Sequence, residues 1–211
     1  MSPRSPTDAS PSGGVLQSAF AGLEQTLAAV PRLFELLVDL YRPLVRREVA
    51  LANVGAADRV LAVGCGALPY TAALIAECSR ATVYALDYDR DALDGARHTL
   101  SRVDGGDRIE LVPGDGASVS PSSLDVGDSS IDVAFVAVQA GPKPEIVDHL
   151  LSVNGGPDRL VVRRPRPAFA SAYGSLPAEY DPVDSVVQPA FAFGRSVLFD
   201  GRKPETLQTD T

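Results

Sequence analysis

The sequence predicts an α/β fold, a Rossmann-like doubly wound sheet that is mostly parallel, ends in a C-terminal antiparallel hairpin and carries a short N-terminal helical cap. Three observations predict it. From Arg59 onward, near-continuous apolar, β-prone runs alternate with amphipathic stretches, as happens when helices cover both faces of a parallel sheet. The first run, Arg59 to Val63, ends in Gly64-Cys65-Gly66, and the second, Thr82 to Leu86, ends in Asp87. A strand, a glycine turn, a helix and a second strand ending in an acid about twenty residues on form the βαβ frame of a nucleotide-type cofactor site. Finally, the β-prone runs Val183 to Gln188 and Ser196 to Phe199 lie too close together to hold a crossover helix, so they pair as a hairpin.

Taken in order, residues 1–14 are rich in Ser, Pro and Gly, cannot bury enough apolar area to offset ordering, and are expected to form a disordered tail. A helical cap follows over residues 15–56. Leu16, Phe20, Leu23, Leu27 and Val30 recur at helical spacing, and Pro31 opens a second helix carrying Leu33, Phe34, Leu37, Val38, Tyr41, Leu44 and Val49. Pro43 falls inside that pattern and, lacking a backbone donor, should kink or restart the helix. The main domain spans residues 57–201. Its remaining parallel strands are Arg108 to Val112, Ile131 to Val138 and Arg159 to Val162, and its helices are Leu68 to Cys78, Asp91 to Ser101 and Pro144 to Val153. A polar tail, residues 202–211, closes the chain.

Composition removes several function classes. The 211 residues are 45% hydrophobic, enough to bury a full core, and carry a formal charge of −8, which disfavours nucleic-acid backbones because they need a basic surface to displace counterions. No apolar run is long enough to span a bilayer and the N-terminus lacks an apolar signal core, so no membrane partner and a cytoplasmic location are expected. Cys65, Cys78, His98 and His149 make neither a disulfide framework nor a metal site. Both histidines fall among polar neighbours and are expected to be solvated.

Gly64 and Gly66 permit a tight turn and close approach of a ligand to the backbone. A dinucleotide site would add a third glycine and a free helix N-terminus facing a pyrophosphate; here Leu68 and Pro69 take that place. The pattern therefore suits an adenosine cofactor without phosphates, and S-adenosyl-L-methionine is the common one on this fold. Ligands in open parallel sheets sit at the carboxyl ends of the strands. Gly64, Cys65, Gly66, Ala67 and Leu68 would line the methionine part and ribose, Asp87 would accept from the ribose hydroxyls, and Tyr88 would flank the adenine. Asp115 and Gly116 would meet the adenine edge, and Val138 and Gln139 would lie under the sulfonium. Plainer readings stand beside these: Asp115 as a turn acid, Asp89, Asp91 and Asp94 as helix-start and surface charges, Cys65 as a small packing residue.

The run Gly64-Cys-Gly-Ala-Leu-Pro-Tyr-Thr71 resembles the Gly-Ser-Gly-Pro-Leu-Pro-Leu-Thr signature of nicotianamine synthases, within the class I S-adenosylmethionine-dependent methyltransferase superfamily. Tyr41, Leu44 and Glu48 are similar to that family's Tyr-x-x-Leu-x-x-x-Glu helix, and Leu160-Val-Val-Arg163 with Tyr173 to its Leu-Val-Arg segment. Pro189 and Ser196-Val197 resemble its closing pattern. Ala67 and Tyr70 replace a proline and a leucine of the signature, and Arg164-Pro-Arg-Pro167 stands where the family has a different turn.

The resemblance implies a class I methyltransferase-type fold and transfer of an aminocarboxypropyl group to a small-molecule amine or amino-acid acceptor, as in metallophore biosynthesis. It also implies a catalytic role for Glu48. Tyr41, Leu44 and Glu48 share one helix face. Glu48 is the candidate base, and Tyr41 and Tyr70 are the candidate hydroxyls that position the amino acid; the plain alternative is that Glu48 pairs with Arg46, Arg47 or another base and Tyr41 packs in the core. Two other functions stay open at this point, a small-molecule methyltransferase and a non-catalytic cofactor-binding regulator. The chain is compatible with a homodimer.

Overall fold

The computed structural model of the chain describes residues 31–101, 106–120, 124 and 130–201; the helix expected over Leu16 to Val30 and both expected tails lie outside the described residues. Pro31 opens helix α1 (Pro31–Leu51), where the missing proline N–H removes nothing the helix needs. The helix does not restart at Pro43, and α1 runs through it. Pro43 and Asp39, whose carbonyl loses its helical partner, both lie on the exposed side, where the freed carbonyl is open to solvent. The opposite face turns Val38, Tyr41, Val45 and Val49 onto the sheet.

The rest follows the predicted alternation: β1 (Arg59–Val63), α2 (Tyr70–Ser79), β2 (Thr82–Asp87), α3 (Arg90–Leu100), β3 (Ile109–Pro113), β4 (Val133–Val136), α4 (Lys143–Ser152), β5 (Arg159–Pro165), a short α5 (Ala170–Tyr173), β6 (Asp184–Val187) and β7 (Phe193–Asp200). The sheet order is β3-β2-β1-β4-β5-β7-β6. Strands β1 to β5 are parallel, and β7 inserts antiparallel between β5 and β6. The chain reverses direction on either side of β1, which makes the tips of β1 and β4 the switch point where ligands lodge in such sheets.

Because successive strand residues point to opposite faces, the apolar runs feed two cores. Val60, Ala62, Val83, Ala85, Val133 and Phe135 meet α1 and α2 on one side. Leu61, Val63, Leu86, Ala134 and Val136 meet Ile146, Val147 and Leu150 of α4 on the other. Helix α3 starts as expected, with the Asp89 carboxylate accepting from the backbone N–H groups of Asp91 and Ala92.

Boundaries differ where prolines or pairing intervene. Helix α2 begins at Tyr70, two residues later than expected, because Pro69 takes the N-cap position and Leu68 is drawn into a cluster with Phe34 and Ala73. Strands β5 and β7 run longer than their apolar cores, since antiparallel pairing carries on to Pro165 and Phe193. His149 is half-buried rather than solvated, its Nε2 2.6 Å from the Val119 carbonyl, while His98 is exposed as expected. No helix among the described residues is long and apolar enough to cross a membrane.

Candidate functional site

Register brings the strand tips to one level: Val63 pairs with Leu86 on one side and with Val136 on the other. The chain leaves β1 through Gly64 and Gly66, both left-handed at φ +79° and +62°. The N–H groups of Gly64 and Cys65 both donate to the Leu86 carbonyl, at 2.9 and 3.1 Å. Asp87 holds the turn from below. Its Oδ2 accepts from Gly66 N at 2.8 Å and its Oδ1 from Asp89 N at 3.1 Å, with the residue only 8% exposed. The acid expected to grip a ribose thus also organises the glycine turn.

The loop after β4 seats against the same turn. Gln139 Nε2 donates to the Gly64 carbonyl at 3.2 Å, and a Cβ added to Gly64 would lie 2.8 Å from that of Ala140. Glycine at position 64 therefore serves twice, for its backbone angle and for this close approach. Below the turn lies a cavity of about 20 Å³ bordered by Gly64, Cys65, Thr71, Ala137 and Arg163. It has room for about one water molecule, so a nucleoside would have to lie above the strand tips.

Glu48 is fully buried, and its partner is neither Arg46 nor Arg47 but Arg163 in the second half of β5. The guanidinium grips it with a fork: Nε donates to Oε1 at 2.8 Å and Nη2 to Oε2 at 2.7 Å. Ser196 Oγ on β7 donates to Oε1 at 2.6 Å, and Arg163 Nη1 reaches Thr71 Oγ1 at 3.1 Å. Phe193 lies under the guanidinium, 5.0 Å from ring centre to Cζ. Burial works to lower the Arg163 pKa, but the Glu48 charge and its hydrogen bonds outweigh it and raise the pKa above the usual arginine value. The Tyr41 ring stands 4.6 Å from that of Tyr70 and 6.4 Å from that of Phe193, beside this cluster. One cluster at the carboxyl edge of the sheet therefore joins α1, α2, β5 and β7.

The structure places the remaining site candidates unevenly. Gly64, Cys65 and Gly66 are half-buried and line the turn, whereas the Ala67 and Leu68 side chains are buried in the protein, Ala67 against Gly95 and Leu68 against Phe34. Only the backbone of these two residues is left for contact with a ligand. Tyr88 is 80% exposed beside the turn. Asp115 closes its own turn by accepting from Ala117 N at 2.9 Å, and Gly116 is packed so that a Cβ would meet Val63 at 2.5 Å. Val138 is buried with Leu44, Tyr173 and Phe193, so its side chain supports the loop from beneath.

Arg163, Thr71, Ser196 and Phe193 are site residues that the spacing arguments did not assign a role. An arginine placed directly after the apolar run Leu160 to Val162 was the available signal, since burying it demands an acid nearby.

The sequence matches no family model and no curated protein. Solved structures do share the fold. A Glu-to-Gln mutant of the nicotianamine synthase MtNAS superposes with a TM-score of 0.68 at 21% identity, over 85% of this chain and 70% of that one. MtNAS in complex with MTA and tNA gives 0.66 at 22% identity, over 84% and 68%. An RNA methyltransferase from Salinibacter ruber in complex with S-adenosyl-L-homocysteine gives 0.56 at 16% identity, over 80% and 95%. The fold is that of nicotianamine synthase and the class I methyltransferases.

Two stability measurements check this geometry. Glu48→Gln leaves the Arg163 charge buried without its counter-ion and should cost about 3 kcal/mol or more in chemical unfolding; a loss under about 1 kcal/mol would mean the pair is solvated in solution. Gly64→Ala and Gly155→Ala both force a left-handed alanine, at about 1–2 kcal/mol each, but Gly155 has nothing within 4 Å of the added atom. The Gly64 variant should therefore be the less stable of the two, and equal losses would remove the contact with Ala140.

Proposed function

We propose that this chain is an S-adenosylmethionine-dependent transferase that moves an aminocarboxypropyl group to the amine of a small acceptor, in metallophore biosynthesis. The observation that carries the reading is the gathering of Glu48, Tyr41 and Tyr70 around Arg163 beside the glycine turn. Three neighbours of the same fold support it, since their structures hold S-adenosylmethionine, MTA with tNA, or S-adenosyl-L-homocysteine.

The turn suits an adenosyl group without phosphates. Pro69 offers no N–H at the start of α2, and Tyr70 N–H is already used by the Leu68 carbonyl at 2.8 Å, so this helix end has little to give a pyrophosphate. Asp87 is held at the tip of β2 with lone pairs to spare for ribose hydroxyls, and Tyr88 offers an open aromatic face to a base.

When bound, S-adenosylmethionine supplies a sulfonium that activates the carbons attached to it. Attack by an acceptor nitrogen on the γ-carbon of the methionine chain would break the sulfur–carbon bond, leave its electron pair on sulfur in methylthioadenosine, and require the nitrogen to shed a proton. Glu48 is the residue to take that proton. Its Oε1 is occupied by Arg163 and Ser196, while Oε2 accepts from Arg163 and keeps a second lone pair. Tyr41 and Tyr70 would hold the acceptor in line, and placement decides which carbon reacts.

The buried, largely occupied state of Glu48 favours one second reading, methyl transfer to a small acceptor that needs no strong base. Incubating the protein with labelled S-adenosylmethionine and candidate amino acids, then identifying the released nucleoside, separates the two. Methylthioadenosine is expected; S-adenosylhomocysteine would establish the methyl reading, and cofactor binding without release across the acceptor panel would favour a regulatory protein. In calorimetry, Asp87→Ala should weaken S-adenosylmethionine binding by about 1.5–3 kcal/mol, the worth of charge-assisted hydrogen bonds. Wild-type affinity in a folded Asp87→Ala protein would end the ribose assignment.

A further inference from the structure

All but two of the chain's 19 basic residues are arginine. One of the two exceptions, Lys143, is fully buried, with no exposed surface. Its position is electrostatically poor on three counts. Burial penalises the charge and pushes the pKa down to about 8, so the ammonium is still the held form at neutral pH. Lys143 is also the first residue of α4, at the helix end that carries the partial positive charge. Moreover, the hydrogen bonds of its Nζ go to backbone carbonyls, those of Val138, Ala140 at 3.1 Å and Tyr173 at 2.7 Å, and none of these bears a full negative charge.

Three carbonyls converging on one point explain why the residue is lysine. An ammonium has three donors on a single atom, which match three acceptors arranged around it, whereas a guanidinium spreads its donors in a plane. What the cation holds together matters more. Val138 and Ala140 flank Gln139 in the loop after β4, and this loop lies against Gly64 through Ala140 and through the Gln139 bond to the Gly64 carbonyl. Tyr173 belongs to the segment after β5, and its side chain packs with Leu44, Val138 and Phe193 next to Tyr41. Lys143 therefore joins two walls of the candidate site that share no strand pairing at that level.

We propose that Lys143 is a positioning residue for the cofactor site, its ammonium setting the β4 loop against the glycine turn by gathering the carbonyls of Val138, Ala140 and Tyr173. It touches no reacting atom and acts through Ala140 and Gln139 on Gly64. The proposal rests on the reading of the site as one for S-adenosylmethionine.

The test is calorimetric titration of S-adenosylmethionine into the full chain and into Lys143→Met and Lys143→Arg, with near-ultraviolet circular dichroism giving the folded fraction of each. Wild-type binding tests the cofactor reading by itself. Given that binding, Lys143→Met should raise Kd per folded molecule tenfold or more, and Lys143→Arg, which restores a cation with several donors, should recover part of the loss. A role confined to stability would lower the folded fraction and leave Kd per folded molecule unchanged, and that result would overturn the proposal. Should the methionine variant fail to fold, Lys143→Gln, with two amide donors, takes its place under the same criterion.

Discussion

The structure of the site depends on a charge that cannot stand alone. Arg163 directly follows the apolar run of β5 in the interior, where an unpaired guanidinium would be too costly to keep, and Glu48 answers it from helix α1 with both oxygens. Because the pair is a fork, it fixes orientation as well as distance. That is what seats α1 against the sheet in one register, with Tyr41 turned to Tyr70 and Phe193. Thr71 and Ser196 complete the hydrogen bonding, so α2 and β7 are joined to the same point. Apolar packing of Val45 and Val49 alone would hold the helix without specifying its rotation so closely.

A second, smaller arrangement of the same kind governs the glycine turn. Asp87 accepts from the turn and from the start of the following helix, and the loop after β4 closes the other side through Gln139 and Ala140. Preorganised backbone at a strand tip lets a ligand bind without first ordering the loop. The two arrangements meet at Thr71 and the small cavity under Gly64. On the proposed function, cofactor and acceptor would be held by one connected set of side chains.

Much of this was legible in the sequence. The apolar runs gave strands within a few residues because a parallel sheet covered on both faces allows little polar interruption, and the hairpin at the end was forced by the shortness of its connection. Gly64, Gly66 and Asp87 were legible because their chemistry is local to a strand–turn–helix frame. Pro43 did not end the helix, since whether a proline breaks a helix depends on which side the lost bond faces, and that is decided by packing. Arg163 and Lys143 escaped for another reason. Their partners lie far along the chain, Glu48 in one case and the Tyr173 carbonyl in the other, and periodicity carries no information about contacts between distant segments. Ala67 and Leu68 show the converse: they stand in the motif, yet their side chains turn inward, because a motif marks backbone position and not side-chain direction.

The coupling between Glu48 and Arg163 is measured by a double-mutant cycle in chemical unfolding. Each of Glu48→Leu and Arg163→Met strands one buried charge, whereas the double variant strands none. The double variant should be more stable than either single one, with a coupling of about 2 kcal/mol or more. Losses that simply add, within about 0.5 kcal/mol, would contradict this, for the helix would then be held by something other than this pair.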